Sequence, residues 1–303
     1  MTYATKPNLA SAVKDLDKLR YPLYASPKID GIRCWLHEKH RVVARSLKPI
    51  PNKRAHVLLS GFSSRNLDGE LVTLDKYGKM RSFNEIQSDI MSRNPEGRYA
   101  LQYLVFDITD SDRPFRERME LLRQRIPVVP KGGFELISMV PQTLVHSVEE
   151  LEKYEAAMLA AGFEGVMVRD PEGKYKSGRS TVREGGLLKL KRFEDAEGII
   201  VGFEEMMHNL NAPEVNELGA AKRSLAKGGM VPAGTMGKVV VVAPPWGEVR
   251  IGTGFTAAQR HEFWMHRHTY VGKMVSFKYQ AFGTQDKPRL PVFRGLRDER
   301  DMS

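Results

Sequence analysis

The sequence predicts a two-part chain: a larger α+β unit with largely antiparallel sheets, then a small β-barrel. Three observations predict it. At 303 residues the chain exceeds the size at which single cores stop growing. The first two thirds mix helix-like and strand-like runs without the regular βαβ rhythm of a parallel doubly wound fold. After about Phe193 the texture changes to short β runs with one helix. The boundary falls at 192–196, giving units of 1–193 and 194–303.

From 9 to 19 the apolar positions Leu9, Val13, Leu16 and Leu19 recur at helical spacing, which predicts a helix leading into an extended run bracketed by Pro22 and Pro27. Ile32–His37 and Arg41–Ala44 read as strands joined by a polar turn, and 47–51 as a proline-punctuated loop. Leu67–Leu74 and 101–108 are buried strands, with a helix over Phe83–Met91 between them. The clearest helix is 147–161: Ser147 and Glu150 form an S-x-x-E capping box, Leu151, Tyr154 and Met158 an apolar stripe, and Gly162 a stop. Strands follow at 165–169 and 187–191. Beyond the boundary, strand runs at 198–203, 239–243, 248–251 and 274–282 with a helix at 257–266 suit a barrel of the oligonucleotide-binding kind. The polar stretch 206–236, carrying Lys222, Arg223 and Lys227, reads as a long basic loop that contacts nucleic acid.

Composition narrows the function classes. Apolar residues at 41% and charged residues at 28% describe an ordinary globular chain. A net charge of +10 and a pI near 9.6 favour a polyanionic partner without requiring one. The single cysteine, Cys34, excludes an intramolecular disulfide or a multi-cysteine zinc site, fits a reducing cytoplasm, and reads as packing. Neither a secretory leader nor a run of about 18 apolar residues is present, so export and membrane spanning are not expected. His261, His266 and His268 read as an exposed helix end, and Trp35, Trp246 and Trp264 as core aromatics.

Chemistry gathers in Lys28-Ile29-Asp30-Gly31-Ile32-Arg33. A lysine between a strand and a glycine turn is an unusual packing choice, although K-x-D-G alone also suits a surface hairpin. Asp68-Gly69-Glu70 alone reads as a turn, Phe106 as core, and Lys189 with Lys191 as a solvated strand face. Their order decides. Lys28 to Arg33, Arg45 with Lys48, Asp68-Gly69-Glu70, Val105-Phe106-Asp107, Glu164-Gly165-Val166-Met167-Val168-Arg169 and Lys189-Leu190-Lys191 follow one another, closed by Arg289-Leu290-Pro291-Val292-Phe293-Arg294 with Arg297 and Asp298. This ordered set, from about 22 to 298, resembles the covalent nucleotidyltransferase superfamily of DNA ligases, RNA ligases and capping enzymes. It is most similar to small phage-type ATP-dependent DNA ligases.

The resemblance implies an ATP-grasp-like nucleotidyltransferase domain followed by an OB-fold domain. It implies Lys28 as the nucleophile that carries AMP, with Arg33, Arg45, Glu70, Phe106, Glu164, Lys189, Lys191, Arg289 and Arg294 around ATP. Glu70 and Glu164 are hard oxygen donors suited to Mg²⁺. Lys48 and the basic loop at Lys222 and Arg223 would meet DNA. A lysine with a pKa of about 10.4 is protonated at neutral pH, so a lysine nucleophile needs neighbouring cations; Lys189, Lys191 and Arg33 supply that field. Lys189 and Lys191, two apart, point to one face of a strand. One departure stands out: many DNA ligases carry Glu two residues before the nucleophile, and here that position is Ser26.

The function expected is sealing of nicked double-stranded DNA through lysyl-AMP and a DNA-adenylate, in replication or repair, by a monomer in a bacterial or phage-infected cytoplasm. RNA ligase, guanylyltransferase and a non-catalytic OB-fold binding protein are the alternatives. The R-x-P-x-F ending favours DNA ligase, and the lack of a cysteine zinc finger favours ATP over NAD⁺.

Overall fold

The computed structural model describes residues 4–13, 15–37, 41–93, 99–126, 136–215, 221–224, 226–280 and 287–297. It divides into two compact units, Met1–Lys191 and Arg192–Ser303.

The first unit runs β1 (Asn8–Leu9), β2 (Ser11–Ala12), β3 (Leu23–Pro27), β4 (Ile32–His37), β5 (Arg41–Ala44), α1 (Lys53–Leu59), β6 (Leu67–Leu74), α2 (Phe83–Met91), β7 (Ala100–Ile108), α3 (Phe115–Arg125), β8 (Ile137–Met139), β9 (Thr143–Val145), α4 (Val148–Ala160), β10 (Val166–Arg169), β11 (Gly178–Arg179) and β12 (Leu188–Leu190). Two five-stranded sheets organise it, ordered β5-β4-β6-β7-β8 and β2-β12-β10-β3-β9. Both are antiparallel except for the edge pairs β7–β8 and β12–β2.

Alternation along the strands builds the cores. On β7, Leu101, Tyr103 and Val105 are buried beneath α2 and α3, whose Ile86, Ile90, Phe115, Met119 and Leu122 close the same cluster. The other sheet buries Ala25, Val166, Val168, Leu188 and Leu190 with Leu151 of α4. Each large apolar side chain removed from water contributes about 1.5–3 kcal/mol.

The helix expected over 9–19 is not formed. Its first half lies in the short strands β1 and β2 instead, β1 pairing with β11 and β2 with the open edge of β12, where Ser11 N donates to Leu187 O at 3.4 Å and Val13 N to Lys189 O at 3.0 Å. A helix of that length is marginal in water, whereas an unpaired sheet edge is a ready partner. Val13, Leu16 and Leu19 still pack against the second core. The capping box expected at α4 is half made. Ser147 Oγ accepts from Glu150 N at 3.3 Å, but Glu150 Oε2 accepts from His146 N at 2.8 Å. A reciprocal box forms instead at Ser82 and Glu85, on α2.

The second unit contains β13 (Glu194–Asn209), β14 (Pro213–Val215), β15 (Ala221–Arg223), β16 (Met230–Ala243), β17 (Gly247–Ile251), α5 (Ala257–Met265), α6 (Arg267–Tyr270), β18 (Met274–Gln280) and β19 (Arg289–Leu296). Its sheet is ordered β17-β16-β13-β18-β19. A bridge between Thr253 and Val292, with Phe293 N donating to Thr253 O at 2.9 Å, ties its two edges together. Phe263, Phe277 and Phe293 fill the interior, and Phe255, Trp246 and Trp264 pack onto it.

The long loop expected over 206–236 is largely β structure. β13 and β16 stay paired out to Asn209 and Met230 across several register shifts, and β14 and β15 add a short ribbon. Bulges let a ladder bend away from its sheet while keeping its hydrogen bonds, so a polar run without clean alternation still forms strands. Residues 216–220 and 225 of this stretch, and Asp298 of the closing motif, lie outside the described residues. Among the described residues no helix is long and apolar enough to cross a membrane.

Candidate active site

The first unit holds a cavity of about 580 Å³ lined from both of its sheets. One wall is a cross-strand row: Ser26 on β3, Met167 on β10 and Lys189 on β12 are successive partners. The other is a second row, Arg33 on β4 opposite Glu70 on β6, with Phe106 on β7 two residues beyond Leu104, the partner of Glu70, at a register shift. Cross-strand partners share a face, so each register delivers its set to one side. Lys28 sits where β3 leaves the first wall and the chain turns into β4 of the second.

Two glycines of the motifs have steric reasons. A Cβ on Gly31 would stand 2.5 Å from the Leu71 carbonyl oxygen, so the turn after Lys28 passes too close to β6 for any side chain. Gly165 adopts φ of 151°, and a Cβ there would run into the Leu190 carbonyl. That close approach brings Glu164 beside Lys191.

Around Lys28 the charges interlock. The Lys28 ammonium pairs with Glu164 Oε2 and Lys191 with Glu164 Oε1, so one carboxylate holds two lysines. The Lys28 N–H also donates to Gly165 O at 2.9 Å. Burial alone would raise the Glu164 carboxyl, but Lys28 and Lys191 outweigh it and hold it below the usual carboxylate range. Burial, helped by Lys191, Lys28 and Arg179, lowers Lys189 below the usual lysine range. Burial raises the Glu70 carboxyl to about 7 against the pull of Arg33 and Lys28.

Behind this layer lie two buried ion networks. Arg33 donates from Nε to Asp68 Oδ1 at 2.6 Å and from Nη2 to Asp68 Oδ2 at 2.5 Å and Asn8 O at 3.1 Å. Tyr175 donates to the same Asp68 at 2.6 Å. Asp107 accepts from Arg118 Nε at 2.8 Å and Nη2 at 3.1 Å, and from Arg169 Nη1. Burial would raise Asp107; the two guanidiniums keep it low.

The fold thus brings together Lys28, Arg33, Glu70, Phe106 and Lys189 on the cavity lining, with Glu164 and Lys191 engaged through Lys28. Arg45 is exposed at the cavity, while Lys48 is exposed and outside its lining. Arg289 and Arg294 belong to β19 of the second unit, where Arg294 Nε lies 3.4 Å from Asp195 Oδ1. Arg223, exposed on β15, donates to Asn211 O; the Lys222 side chain lies outside the described residues. Among the described residues no three His, Cys, Asp or Glu side chains cluster as a metal cage would need.

Sequence reasoning missed Arg118, Tyr175 and Arg179, and the wall made by Leu9 and Ala10. Arg118 and Tyr175 carry no local pattern, since their carboxylate partners lie on other elements, Asp107 on β7 and Asp68 on β6. Asp68 and Asp107 were legible as motif letters but not as the anchors of Arg33 and Arg169.

A lysine-bearing cavity between two antiparallel sheets, followed by a separate five-stranded unit, is the architecture of a nucleotidyltransferase domain with an OB-like domain. The family model described as "ATP dependent DNA ligase domain" matches residues 7–191, and that described as "DNA ligase OB-like domain" matches residues 227–297. The chain belongs to the family of ATP-dependent DNA ligases. It is 24% identical over 268 residues to a DNA ligase of Haemophilus influenzae, covering 88% of this chain and 84% of that one. It is 30% identical over 198 residues to DNA ligase 2 of Methanosarcina acetivorans, covering 58% of this chain and spanning only 34% of that one. The crystal structure of a Chlorella virus DNA ligase-adenylate is 32% identical with a TM-score of 0.55, covering 97% of this chain and 100% of that one. A Lig E DNA ligase, 23% identical with a TM-score of 0.65, shares the fold over 96% of this chain and 99% of that one. Family membership makes ATP the nucleotide and DNA the substrate.

Proposed function

We propose that this ligase seals nicks in duplex DNA by three displacements at phosphorus, with Lys28 as the covalent carrier. The Lys28 amine attacks the α-phosphate of ATP, forming a phosphoramidate while pyrophosphate leaves. The 5′-phosphate at the nick then attacks lysyl-AMP, freeing the amine and giving a DNA-adenylate. The 3′-hydroxyl attacks that adenylate, the phosphodiester forms and AMP leaves. The observation that carries this reading is the place of Lys28, at the turn joining the two cavity walls with its amine held by Glu164.

The surrounding residues suit phosphoryl transfer, which needs alignment and charge neutralisation more than covalent help. Lys189 and Arg45 offer cations to the α-phosphate and the cavity rim, Phe106 a ring for adenine to stack on, and Arg33 with Glu70 polar groups for the ribose. Arg289 and Arg294 supply positive charge to the leaving pyrophosphate. Lys191 neutralises the half of Glu164 that Lys28 does not use. Glu70 and Glu164, two carboxylates flanking one amine, fit Mg²⁺, which takes one or two carboxylates and completes its shell with water and phosphate. When bound it would neutralise phosphate charge. Residues 1–193 form the adenylation domain and 194–303 the OB-fold domain, whose ribbon, with Lys222 and Arg223, and the exposed Lys48 meet the DNA backbone. The protein acts as a monomer, and its single buried thiol, Cys34, suits the cytoplasm.

The test incubates the protein and its Lys28→Ala variant with Mg²⁺ and α-labelled ATP, GTP or NAD⁺, then chases with nicked duplex. Label retained from ATP alone, lost in the variant and released on sealing, is the expected result. Label from GTP, or label that moves only onto RNA ends, would overturn it.

A further inference from the structure

Phe106 has an arrangement behind it that the nucleotide chemistry alone does not require. Two guanidiniums pack against the ring, Arg33 with Cζ 4.6 Å and Arg169 with Cζ 5.5 Å from its centroid. Each cation is fixed by a buried carboxylate of another motif, Arg33 by Asp68 and Arg169 by Asp107. Arg169 also lies 4.7 Å from the Phe115 centroid, so its guanidinium fills the space between a cavity ring and a core ring. The two rings come from different elements, β7 and α3, while Arg169 comes from β10 of the other sheet. Arg169 is 3% exposed; with Met167, two residues earlier on the same strand face, it lines the cavity wall beside Phe106.

We propose that Arg169 is a positioning residue for ATP recognition, acting through Phe106. It fixes the ring's plane and, as a cation beside the π system, fixes the charge on the face offered to the base. A buried guanidinium over an aromatic face is worth most where water is excluded, and planar Arg fits this role better than Lys. The effect therefore concerns how well a purine stacks, and leaves the displacement at phosphorus unchanged. The proposal rests on the reading that Phe106 stacks on adenine.

The experiment measures single-turnover self-adenylation of the whole chain, with the half-saturating ATP concentration (KM) and the maximal rate constant (kcat) read separately, for Arg169→Lys, Arg169→Gln, Phe106→Leu and the two double variants. Removing the Arg169 guanidinium leaves Asp107 paired with Arg118, so the network keeps a counter-cation, and thermal melts check folding. Arg169→Lys is expected to raise KM about three- to tenfold with kcat within twofold, and Arg169→Gln to raise it further. In the Phe106→Leu background both increments are expected to vanish, because the ring they act through is gone. Increments that persist there would mean that Arg169 meets the nucleotide directly or acts elsewhere, and would overturn the proposal. So would an unchanged KM in both single Arg169 variants, or a fall in kcat without a rise in KM. If Phe106→Leu alone leaves KM unchanged, the stacking reading of Phe106 fails first and takes the proposal with it.

Discussion

Arg33 and Asp68 meet as a fork, two parallel hydrogen bonds of 2.6 and 2.5 Å linking β4 to β6 beside the cavity. Asp68 is fully buried and the Arg33 side chain is 15% exposed, so neither charge is left to water. Removing one partner of such a pair strands the other, which costs about 3–5 kcal/mol, whereas replacing both with apolar groups costs less. Asp68→Asn is therefore expected to lower stability in urea melts by about 3 kcal/mol. Asp68→Leu combined with Arg33→Met should recover part of that loss. A double variant no more stable than the single one would show that the fork itself stabilises the fold.

That fork explains which features were legible in the sequence. Short strands bounded by turn residues, such as Ile32–His37 and Leu67–Leu74, and the helix Phe83–Met91 follow from local pattern and form over the residues expected. The motif letters gave the cavity residues Lys28, Arg33, Glu70, Phe106 and Lys189, because chemistry fixes their type. The segment 9–19 misled because its helical spacing is real but the carbonyls of Leu187 and Lys189 capture its amides, a long-range competition that no local window contains. Arg118 and Tyr175 were invisible for a related reason: each is defined by a carboxylate on another element, Asp107 on β7 for Arg118 and Asp68 on β6 for Tyr175.

Glu164 is the hub of the lysine cluster, and its removal should expose repulsion among Lys28, Lys189 and Lys191. Its folded carboxyl lies below the unfolded value, so it binds fewer protons when folded. Its contribution is thus present above the unfolded pKa and is lost as pH falls through the folded one. Glu164→Gln is expected to destabilise the nucleotide-free protein by about 2–3 kcal/mol at neutral pH. Part of the loss should be recovered in high salt, where repulsion between the lysines is screened. Chemical melts of both proteins at low and high ionic strength test this; a loss independent of salt would assign the effect to packing.

Glu70 behaves in the opposite sense. Its folded carboxyl is raised to about 7, chiefly by burial, from an ordinary 4.5, so between those values the folded state holds the extra proton. Stability should therefore fall as pH rises from about 4.5 to about 7 and level off above. Glu70→Gln removes that titration. Measured without nucleotide or metal, the stability difference between variant and wild type should be constant at low pH. It should then shift in favour of the variant by about 2 kcal/mol across the window, allowing for the solvent-facing side of the cavity. A flat difference from pH 4 to 8 would mean that Glu70 ionises freely.

The net charge of +10 bears on DNA rather than on ATP. Each lysine or arginine on a backbone phosphate releases condensed counterions, so the logarithm of affinity falls with the logarithm of salt by about 0.9 per contact. Arg223 is exposed on the ribbon and holds Asn211 O from Nη1. Arg223→Ala is therefore expected to weaken binding to nicked duplex similarly across sequences and to reduce the salt slope by about 1. The rate of lysyl-AMP formation from ATP should not change. Binding isotherms over a salt series, with self-adenylation measured in parallel, separate the two. An unchanged slope would take Arg223 off the DNA, and a slower adenylation step would assign it to the nucleotide instead.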